Sequence, residues 1–188
     1  MGDSPMRMTN IGLDDIFALF DRFGDEEYGE SISQRAHALQ VAHLAGSAGE
    51  PDTLVAAALL HDVGQLIGGA GSAAEREKRD ARHELGGATF LKGLFAEDIL
   101  APIRLHVAAK RYLCAVDPAY LQSLSQASVI SLELQGGRYS AAEAESFMCL
   151  PFAAEATRLR RYDDLGKQVD LIVPSLETYQ PLLERLAL

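Results

Sequence analysis

The amino-acid sequence predicts an all-α fold, and three observations support this. Apolar residues recur at helical spacing, glycine and proline interrupt the chain at intervals of helix length, and we find no convincing alternation of apolar and polar residues. The chain has 188 residues, of which 48% are hydrophobic, so it is long enough for a sizeable core. We therefore expect one helical domain over residues 1–188.

The predicted N-terminal helices follow from this spacing. The apolar residues of the first helix, which ends at Gly24, are Leu13, Ile16, Phe17, Phe20 and Phe23. A second helix follows Gly29-Glu30-Ser31, and a third begins at Glu50-Pro51-Asp52 and is apolar throughout residues 53–60. The glycine-rich residues 64–72 predict a loop.

The C-terminal two thirds also predict helices, with two interruptions. The predicted elements are a helix over about 75–95, a helix opened by Glu97-Asp98 and Pro102, shorter helices around 118–134, a break at Gln135-Gly136-Gly137, a helix over about 141–161, an extended segment at 171–174 and a final helix near 176–187. Because no alternation is convincing, we expect no strand anywhere in the chain.

Composition excludes several classes of partner. The net charge of −10 argues against a nucleic-acid surface, which needs clustered Lys and Arg. No apolar run is long enough to span a membrane, and no basic-then-apolar signal segment opens the chain. Cys114 and Cys149 form no metal or redox motif, so we expect reduced thiols in a cytoplasmic protein.

The dipeptide His61-Asp62 ends the apolar helix and is the strongest functional signal. A buried imidazole and carboxylate are costly without a partner, and a metal ion binds both. His37 precedes this pair, whereas His83 and His106 follow it at similar wide intervals, before the acidic pair Asp163-Asp164. This order is typical of the HD superfamily of metal-dependent proteins, and it predicts an HD-domain helical bundle with a metal-binding core at about 31–165.

The ligand count and nearby cations suggest the chemistry. Four histidines and two aspartates exceed the needs of one tetrahedral site and suit two metals bridged by Asp62; such ligands favour iron, manganese or zinc. Lys110 faces the same way as His106, four residues earlier, and Arg160 precedes Asp163 by three residues. Both cations could hold an anionic group, although a surface lysine is the alternative interpretation of Lys110.

Three further segments give a closer resemblance, which runs from about residue 12 to the C-terminus. They are His106–Leu113, Gln135-Gly136-Gly137 and residues 162–168, Tyr-Asp-Asp-Leu-Gly-Lys-Gln. Together they resemble the HD-domain mixed-valent diiron oxygenases that cleave the carbon–phosphorus bond of 1-hydroxyphosphonates. The resemblance implies an Fe(II)/Fe(III) pair as cofactor, dioxygen and a small zwitterionic hydroxyphosphonate as substrates, a carboxylate and inorganic phosphate as products, and no reductase partner.

The resemblance also implies roles for individual residues. The implied metal ligands are His37, His61, Asp62, His83, His106 and Asp163. Lys110, Ser128 and Arg160 match phosphonate-contacting positions, and the implied catalytic residues are Lys110, Glu30 and Tyr28. Glu30 matches a lid acid near the substrate amine, although an ordinary first-turn residue of a helix is the alternative.

Two departures from the family pattern bear on the substrate. In His61-Asp62-Val63-Gly64-Gln65, Gln65 replaces a substrate-side histidine, and the lid tyrosine appears one place later, at Tyr28. The acidic residues 25–27 beside Tyr28 could attract a quaternary ammonium, or could form a solvated turn. We therefore expect a 2-trimethylammonio substrate, which gives glycine betaine, in slight preference to a 2-amino substrate, which gives glycine.

Two other classes of function remain open at this stage. An HD phosphohydrolase acting on a nucleotide or phosphate ester would need only His37, His61, Asp62 and Asp163, with a metal-activated water. A non-enzymatic HD module that binds a ligand should have lost ligands, whereas this chain keeps the whole set.

Overall fold

A computed structural model describes residues 11–29, 31–67 and 80–188 of the chain. Its helices are α1 (Leu13–Phe23), α2 (Gln34–Ser47), α3 (Asp52–Leu60), α4 (Val63–Leu66), α5 (His83–Leu91), α6 (Glu97–Val116), α7 (Pro118–Ser123), α8 (Gln126–Leu134), α9 (Ala141–Met148), α10 (Ala153–Leu165), a 3₁₀ helix (Leu176–Tyr179) and α11 (Gln180–Leu186). The prediction of an all-α fold is confirmed.

Helix α3 lies at the centre of the core. Every residue from Leu54 to Leu60 is buried, and α3 packs against α2, α6, α10 and α11. A helix that is apolar on all sides is stable in water only when neighbouring helices surround it. The residue that follows its last turn, His61, is therefore carried to the middle of the molecule, where it is fully buried.

Side-chain caps set the start of several of the surrounding helices. The hydroxyl of Ser33 accepts a hydrogen bond from the Ala36 amide at the start of α2, and Asp117 and Ser125 cap α7 and α8 in the same way. Ser140 and Glu143 form a reciprocal capping box on α9. These caps place helix boundaries where the sequence has Ser or Asp before an apolar run.

Three sequence-based expectations differ from the structure. A short antiparallel ribbon joins β1 (Glu27–Gly29) to β2 (Ile32–Ser33), where we expected no strand; segments this short are below the length at which alternation is visible. The helix expected over 141–161 is divided, because Pro151 cannot donate a helical hydrogen bond, and α10 begins only after Phe152. Part of the predicted loop 64–72 is the short helix α4.

Three predicted features lie partly or wholly outside the described residues: the helix expected over 75–95, Glu30, and the loop expected over 64–72, of which residues 68–72 are not described. Of the helix expected over 75–95, residues 80–95 are described, and within them helix α5 covers only His83–Leu91. Glu30 is not among the described residues. Within the described ranges, none of the helices combines the length and apolar character that a membrane span requires.

Candidate metal centre and substrate cavity

The end of α3 directs His61 and Asp62 toward one point. Asp62 lies in the turn before α4, with φ −103° and ψ 11°, so the helix is interrupted between the two side chains. On an uninterrupted helix, adjacent side chains would diverge by about 100°. Here His61 Nε2 lies 3.4 Å from Asp62 Oδ2.

The first group of candidate ligands combines α2, the end of α3 and α10. His37 Nε2 lies 3.2 Å from His61 Nε2 and 3.8 Å from Asp62 Oδ2. Asp163 joins them from α10, with its Oδ1 atom 3.3 Å from His37 Nε2 and its Oδ2 atom 3.8 Å from His61 Nε2. Four candidate metal ligands from three separate parts of the chain therefore meet in the core.

The second group lies on the other side of Asp62. His83 Nε2 is 3.0 Å from Asp62 Oδ1 and 3.1 Å from His106 Nε2, which itself lies 3.6 Å from the same oxygen. The two oxygens of Asp62 thus face different groups, so this carboxylate is placed to be shared. His37, His61 and Asp62 could hold one metal ion, and Asp62, His83 and His106 could hold another.

A close approach of α4 to α5 brings His83 to this point. A Cβ atom on Gly64 would lie 2.0 Å from the His83 carbonyl oxygen and 2.8 Å from the Gly87 nitrogen. Only glycine leaves room for that contact. Gly64 therefore helps determine how near the second histidine pair lies to Asp62.

Backbone contacts orient three of the four imidazoles. Their Nδ1 atoms contact carbonyl oxygens as follows: His37 to Gly166 at 2.8 Å, His61 to Ala58 at 2.8 Å and His106 to Ile103 at 2.7 Å. Since Nδ1 must carry the proton in each contact, Nε2 of a neutral ring carries a lone pair toward the cluster. Facing lone pairs about 3 Å apart repel one another unless a cation lies among them.

The electrostatics favour the metal-binding protonation states of His61, His106 and Asp62, but not that of His83. Burial lowers the pKa of His61, and it lowers that of His106 to about 3, so both rings are neutral. Burial opposes the ionisation of Asp62, yet the His61 and His83 rings hold the pKa of its carboxyl well below the usual range. For His83, the Asp62 carboxylate outweighs the effect of burial and raises the pKa. Neutral imidazoles beside ionised carboxylates are the form that metals require.

Asp163 provides a further test of whether metal ions fit. Burial opposes its ionisation, but the Arg160 guanidinium and nearby imidazoles keep its carboxyl pKa well below the usual range. Its Oδ1 atom is buried and accepts no hydrogen bond from the described residues. An unpaired buried carboxylate oxygen is costly, and a cation among the ligands would satisfy it. The donor set therefore fits bound metal.

A cavity of about 140 Å³ opens beside both ligand groups. Besides ligands, its lining includes three cations, two serines and two glutamines: Lys110, Arg160, Lys167, Ser128, Ser131, Gln65 and Gln135. The cavity thus combines a metal-binding wall with a positively charged wall, which suits an anionic ligand.

Lys110 is a buried residue rather than a surface lysine. The residue is only 2% exposed, and Nζ donates a hydrogen bond of 2.7 Å to Ser131 Oγ. Burial, with the positive charge of Arg160, lowers the pKa of Lys110 to about 7. Ser128 is also buried, and its hydroxyl accepts a hydrogen bond of 2.9 Å from Lys167 Nζ.

Arg160 joins the cationic wall to the metal-binding wall. Its Nη1 atom donates to Asp163 Oδ2 at 2.6 Å. The Nε and Nη2 atoms of the same guanidinium contact the two oxygens of Asp164. Its Nε atom lies 3.0 Å from the hydroxyl of Tyr120, which in turn donates to Asp164. The guanidinium is thus held rigidly at the edge of the cavity.

Comparison with known proteins adds independent information on the family. The sequence matches the HD-domain family over residues 35–133, a range that contains five of the six predicted ligands. The chain belongs to the HD-domain family.

Several relatives are similar over most of this HD-domain chain. It is 40% identical, over 97% of its length and 93% of the relative, to a [1-hydroxy-2-(trimethylamino)ethyl]phosphonate dioxygenase (glycine-betaine-forming) of Leisingera caerulea. It is 41% identical, over 90% of its length and 85% of the relative, to the hydroxymethylphosphonate dioxygenase of Gimesia maris (strain ATCC 29201 / DSM 8797 / 534-30). The uncharacterized protein L432 of Acanthamoeba polyphaga mimivirus is 36% identical over 89% of the chain and 78% of that protein. The predicted resemblance to HD-domain phosphonate dioxygenases is confirmed.

Within this HD domain, the N-terminal ribbon contributes Tyr28 to the cavity. The Tyr28 ring stacks on the His37 ring, with centroids 3.8 Å apart and planes inclined by 16°, and Lys167 Nζ lies 5.9 Å from the Tyr28 centroid. The acids at 25–27 do not line the cavity in the described chain. Asp25, with 85% of its side chain exposed, lies 3.5 Å from Arg35. Of the two interpretations of this segment, the geometry fits a solvated turn.

Sequence reasoning missed several residues that line the cavity of this HD domain. Lys167 lies in the segment 162–168, but the sequence indicates no role for it, because an acidic helix end followed by a lysine is common on surfaces. Ser131 follows Ser128 by one helical turn, a spacing that could have indicated it. Gln135 belongs to one of the three segments of the resemblance, but that segment implies no role for its side chain, and Asp80 carries no local sequence signal.

Proposed function

We propose that this protein is a non-haem diiron dioxygenase that cleaves the carbon–phosphorus bond of a 1-hydroxyphosphonate. The observation that carries the proposal is Asp62, a carboxylate whose two oxygens face two separate ligand groups beside a cationic cavity. The names of the two relatives supply the substrate class and the use of dioxygen.

The proposed cofactor is a pair of iron ions, Fe(II) and Fe(III), shared by the six ligands His37, His61, Asp62, His83, His106 and Asp163. Imidazole and carboxylate ligands in this proportion suit iron. When bound, such a pair supplies Lewis acidity and the capacity to activate dioxygen.

The cationic wall binds and orients the phosphonate. Lys110 and Arg160 offer charge-assisted hydrogen bonds to its oxygens, and Ser128 adds a hydroxyl. Anchoring the phosphonate there leaves the C1 hydroxyl directed toward the metal-binding wall. Tyr28 and Gln65 line the same cavity and restrict the remaining space.

The reaction balances without an external reductant. A 1-hydroxyphosphonate and one dioxygen contain the atoms of one carboxylic acid and one phosphoric acid. The bonds that break at C1 are carbon–hydrogen and carbon–phosphorus, and the substrate provides all four electrons that reduce dioxygen. We therefore propose no reductase partner. The single domain over 1–188 and the cytoplasmic location stay predictions.

The proposed substrate carries a 2-trimethylammonio group and gives glycine betaine; a 2-amino substrate, which gives glycine, is the alternative. The names of the two relatives include a trimethylamino compound and hydroxymethylphosphonate, which has no nitrogen. Similar identities to both relatives mean that the choice depends on the residues that line the cavity.

Oxygen dependence tests the proposal against an HD phosphohydrolase. Iron-loaded protein is incubated with 1-hydroxyphosphonates and, separately, with nucleotides, in air and without oxygen, and released phosphate is measured. We expect release only from a hydroxyphosphonate and only in air. Release from a nucleotide without oxygen would instead support hydrolysis by a metal-activated water.

A further inference from the structure

Asp80 is a carboxylate of the cavity that belongs to neither ligand group. Within the described chain, the carboxylates that line the cavity are Asp62, Asp163 and Asp80. Asp80 lies three residues before His83, and its Oδ1 atom accepts a hydrogen bond of 3.0 Å from the Arg82 amide. This contact ties the carboxylate to the turn that leads into α5.

The charges of the cavity are distributed unequally. The cations Lys110 and Arg160 come from α6 and α10, and Lys167 follows α10. The charges that act most strongly on Lys110 are those of Arg160, Asp163, Asp164 and Lys167. Asp80 acts instead on Glu84: burial raises the pKa of Glu84, and the negative charge of Asp80 adds to that rise. The cavity therefore has a cationic wall and, near α5, an anionic residue.

We infer that Asp80 recognises the cationic nitrogen group of the substrate and so determines specificity. The inference rests on the proposed function. When the cationic wall holds the phosphonate and C1 faces the ligands, the substituent on C1 extends away from the cations. In a trimethylammonio or amino substrate this substituent is positive, and Asp80 has the complementary charge.

The ribbon is a poorer candidate for this recognition. One face of Tyr28 is covered by His37, and Lys167 lies near the ring, so a quaternary ammonium there would meet a like charge. Asp25 is exposed and lies beside Arg35. Asp80 lines the cavity, whereas the acidic residues 25–27 do not line it in the described chain.

The substitution Asp80→Asn removes the charge and little else. Asparagine has nearly the same shape, and its carbonyl oxygen can still accept the hydrogen bond from the Arg82 amide. Values of kcat/KM are measured for [1-hydroxy-2-(trimethylamino)ethyl]phosphonate and for hydroxymethylphosphonate. We expect the ratio of cationic to neutral substrate to fall about tenfold in Asp80→Asn, the loss typical of one charge-assisted contact.

Asp25→Asn is the matched control. Asp25→Asn removes one negative charge, as Asp80→Asn does, but from an exposed residue that does not line the cavity. We therefore expect the ratio of kcat/KM for the cationic and neutral substrates to stay within about twofold of the wild type. An equal fall of both substrates in Asp80→Asn, no fall at all, or a selective fall in Asp25→Asn would overturn the inference.

Binding without turnover separates this inference from the proposed function. Iron-loaded wild type and Asp80→Asn are titrated anaerobically with both phosphonates by calorimetry. If the wild type binds them but releases no phosphate in air, the proposed function fails, and selective weakening of the cationic compound still supports the role of Asp80. If the wild type binds neither phosphonate, both conclusions fail.

Discussion

At the scale of single residues, Asp62 is a buried carboxylate that contacts both groups of candidate ligands. Each oxygen faces a different histidine pair, and the carboxylate is ionised despite its burial. One metal ion would leave one of these histidine pairs without a partner. The geometry of Asp62 therefore leads to a prediction on metal content.

We predict that protein expressed with ample iron contains about two irons per chain. Replacing His83 by Ala should lower this to about one, because the group formed by His37, His61, Asp62 and Asp163 remains whole. Iron analysis of purified protein measures both values, and His43→Ala, outside both groups, is the control. A single metal ion in the wild type, with His83 and His106 not ligating, would contradict the shared role of Asp62.

We predict that Lys110→Met weakens phosphonate binding and stabilises the protein. The folded-state pKa of Lys110 is about 7, below its ordinary 10.5. Below about pH 7, Lys110 is protonated in both the folded and the unfolded chain, so the buried charge lowers the free energy of unfolding by its full amount. Between pH 7 and 10.5 the unfolded chain binds more protons than the folded chain, so the free energy of unfolding rises with pH. The gain on substitution should be about 1–2 kcal/mol below pH 7 and smaller near pH 10.

Urea unfolding of iron-loaded protein at several pH values measures this gain, and Lys92→Met, at an exposed lysine, is the control. Iron content should stay unchanged while the KM for the phosphonate rises by roughly tenfold or more. If KM is unaffected and stability falls, Lys110 is a structural residue.

At the scale of elements, two helices each carry a cation at a fixed spacing from a candidate ligand. Lys110 lies four residues after His106 on α6, and Arg160 lies three residues before Asp163 on α10. Residues at these spacings share a helix face. Packing of α6 against α10 therefore brings ligands and cations to the cavity together.

Contacts between α7 and α10 support this arrangement, and we predict that Tyr120→Phe disturbs it. The variant removes the hydroxyl that lies between Arg160 Nε and Asp164. The guanidinium keeps its carboxylate partners but loses one fixed contact, at a cost of about 1–2 kcal/mol in stability. The KM for the phosphonate should rise several-fold, and iron content should remain.

The control for this variant is Tyr139→Phe, because Tyr139 packs on Phe147 away from the cavity lining. Steady-state kinetics and iron analysis of both variants are compared with the wild type. A loss of iron in Tyr120→Phe would mean that the network serves Asp163 rather than the phosphonate.

At the scale of the whole molecule, the apolar helix α3 organises both the core and the site. Helices α2, α6 and α10 pack around it, and each supplies one candidate ligand: His37, His106 and Asp163 respectively. The ligands are thus held by the same packing that stabilises the fold. This coupling explains why a dense polar cluster can persist in the centre of an apolar core.

The sequence by itself determined the helical fold, the candidate ligands and two of the three cations. These features are visible as local patterns: helical periodicity, the apolar run before His61, and the spacings of Lys110 and Arg160 from candidate ligands. Such patterns can be read from the sequence because a helix must place its apolar residues on the buried face. The sequence did not predict the divided helix or the short ribbon. A proline between two apolar runs, or a strand of three residues, leaves little periodic signal.

Only the tertiary structure decided which ligands group together, that Tyr28 stacks on His37, and that Asp80 and Lys167 line the cavity. These contacts join residues that are far apart in sequence. They depend on how helices pack around α3, and on the close approach that Gly64 permits. Packing distances of this kind are set by the shapes of many side chains at once, so no local pattern records them.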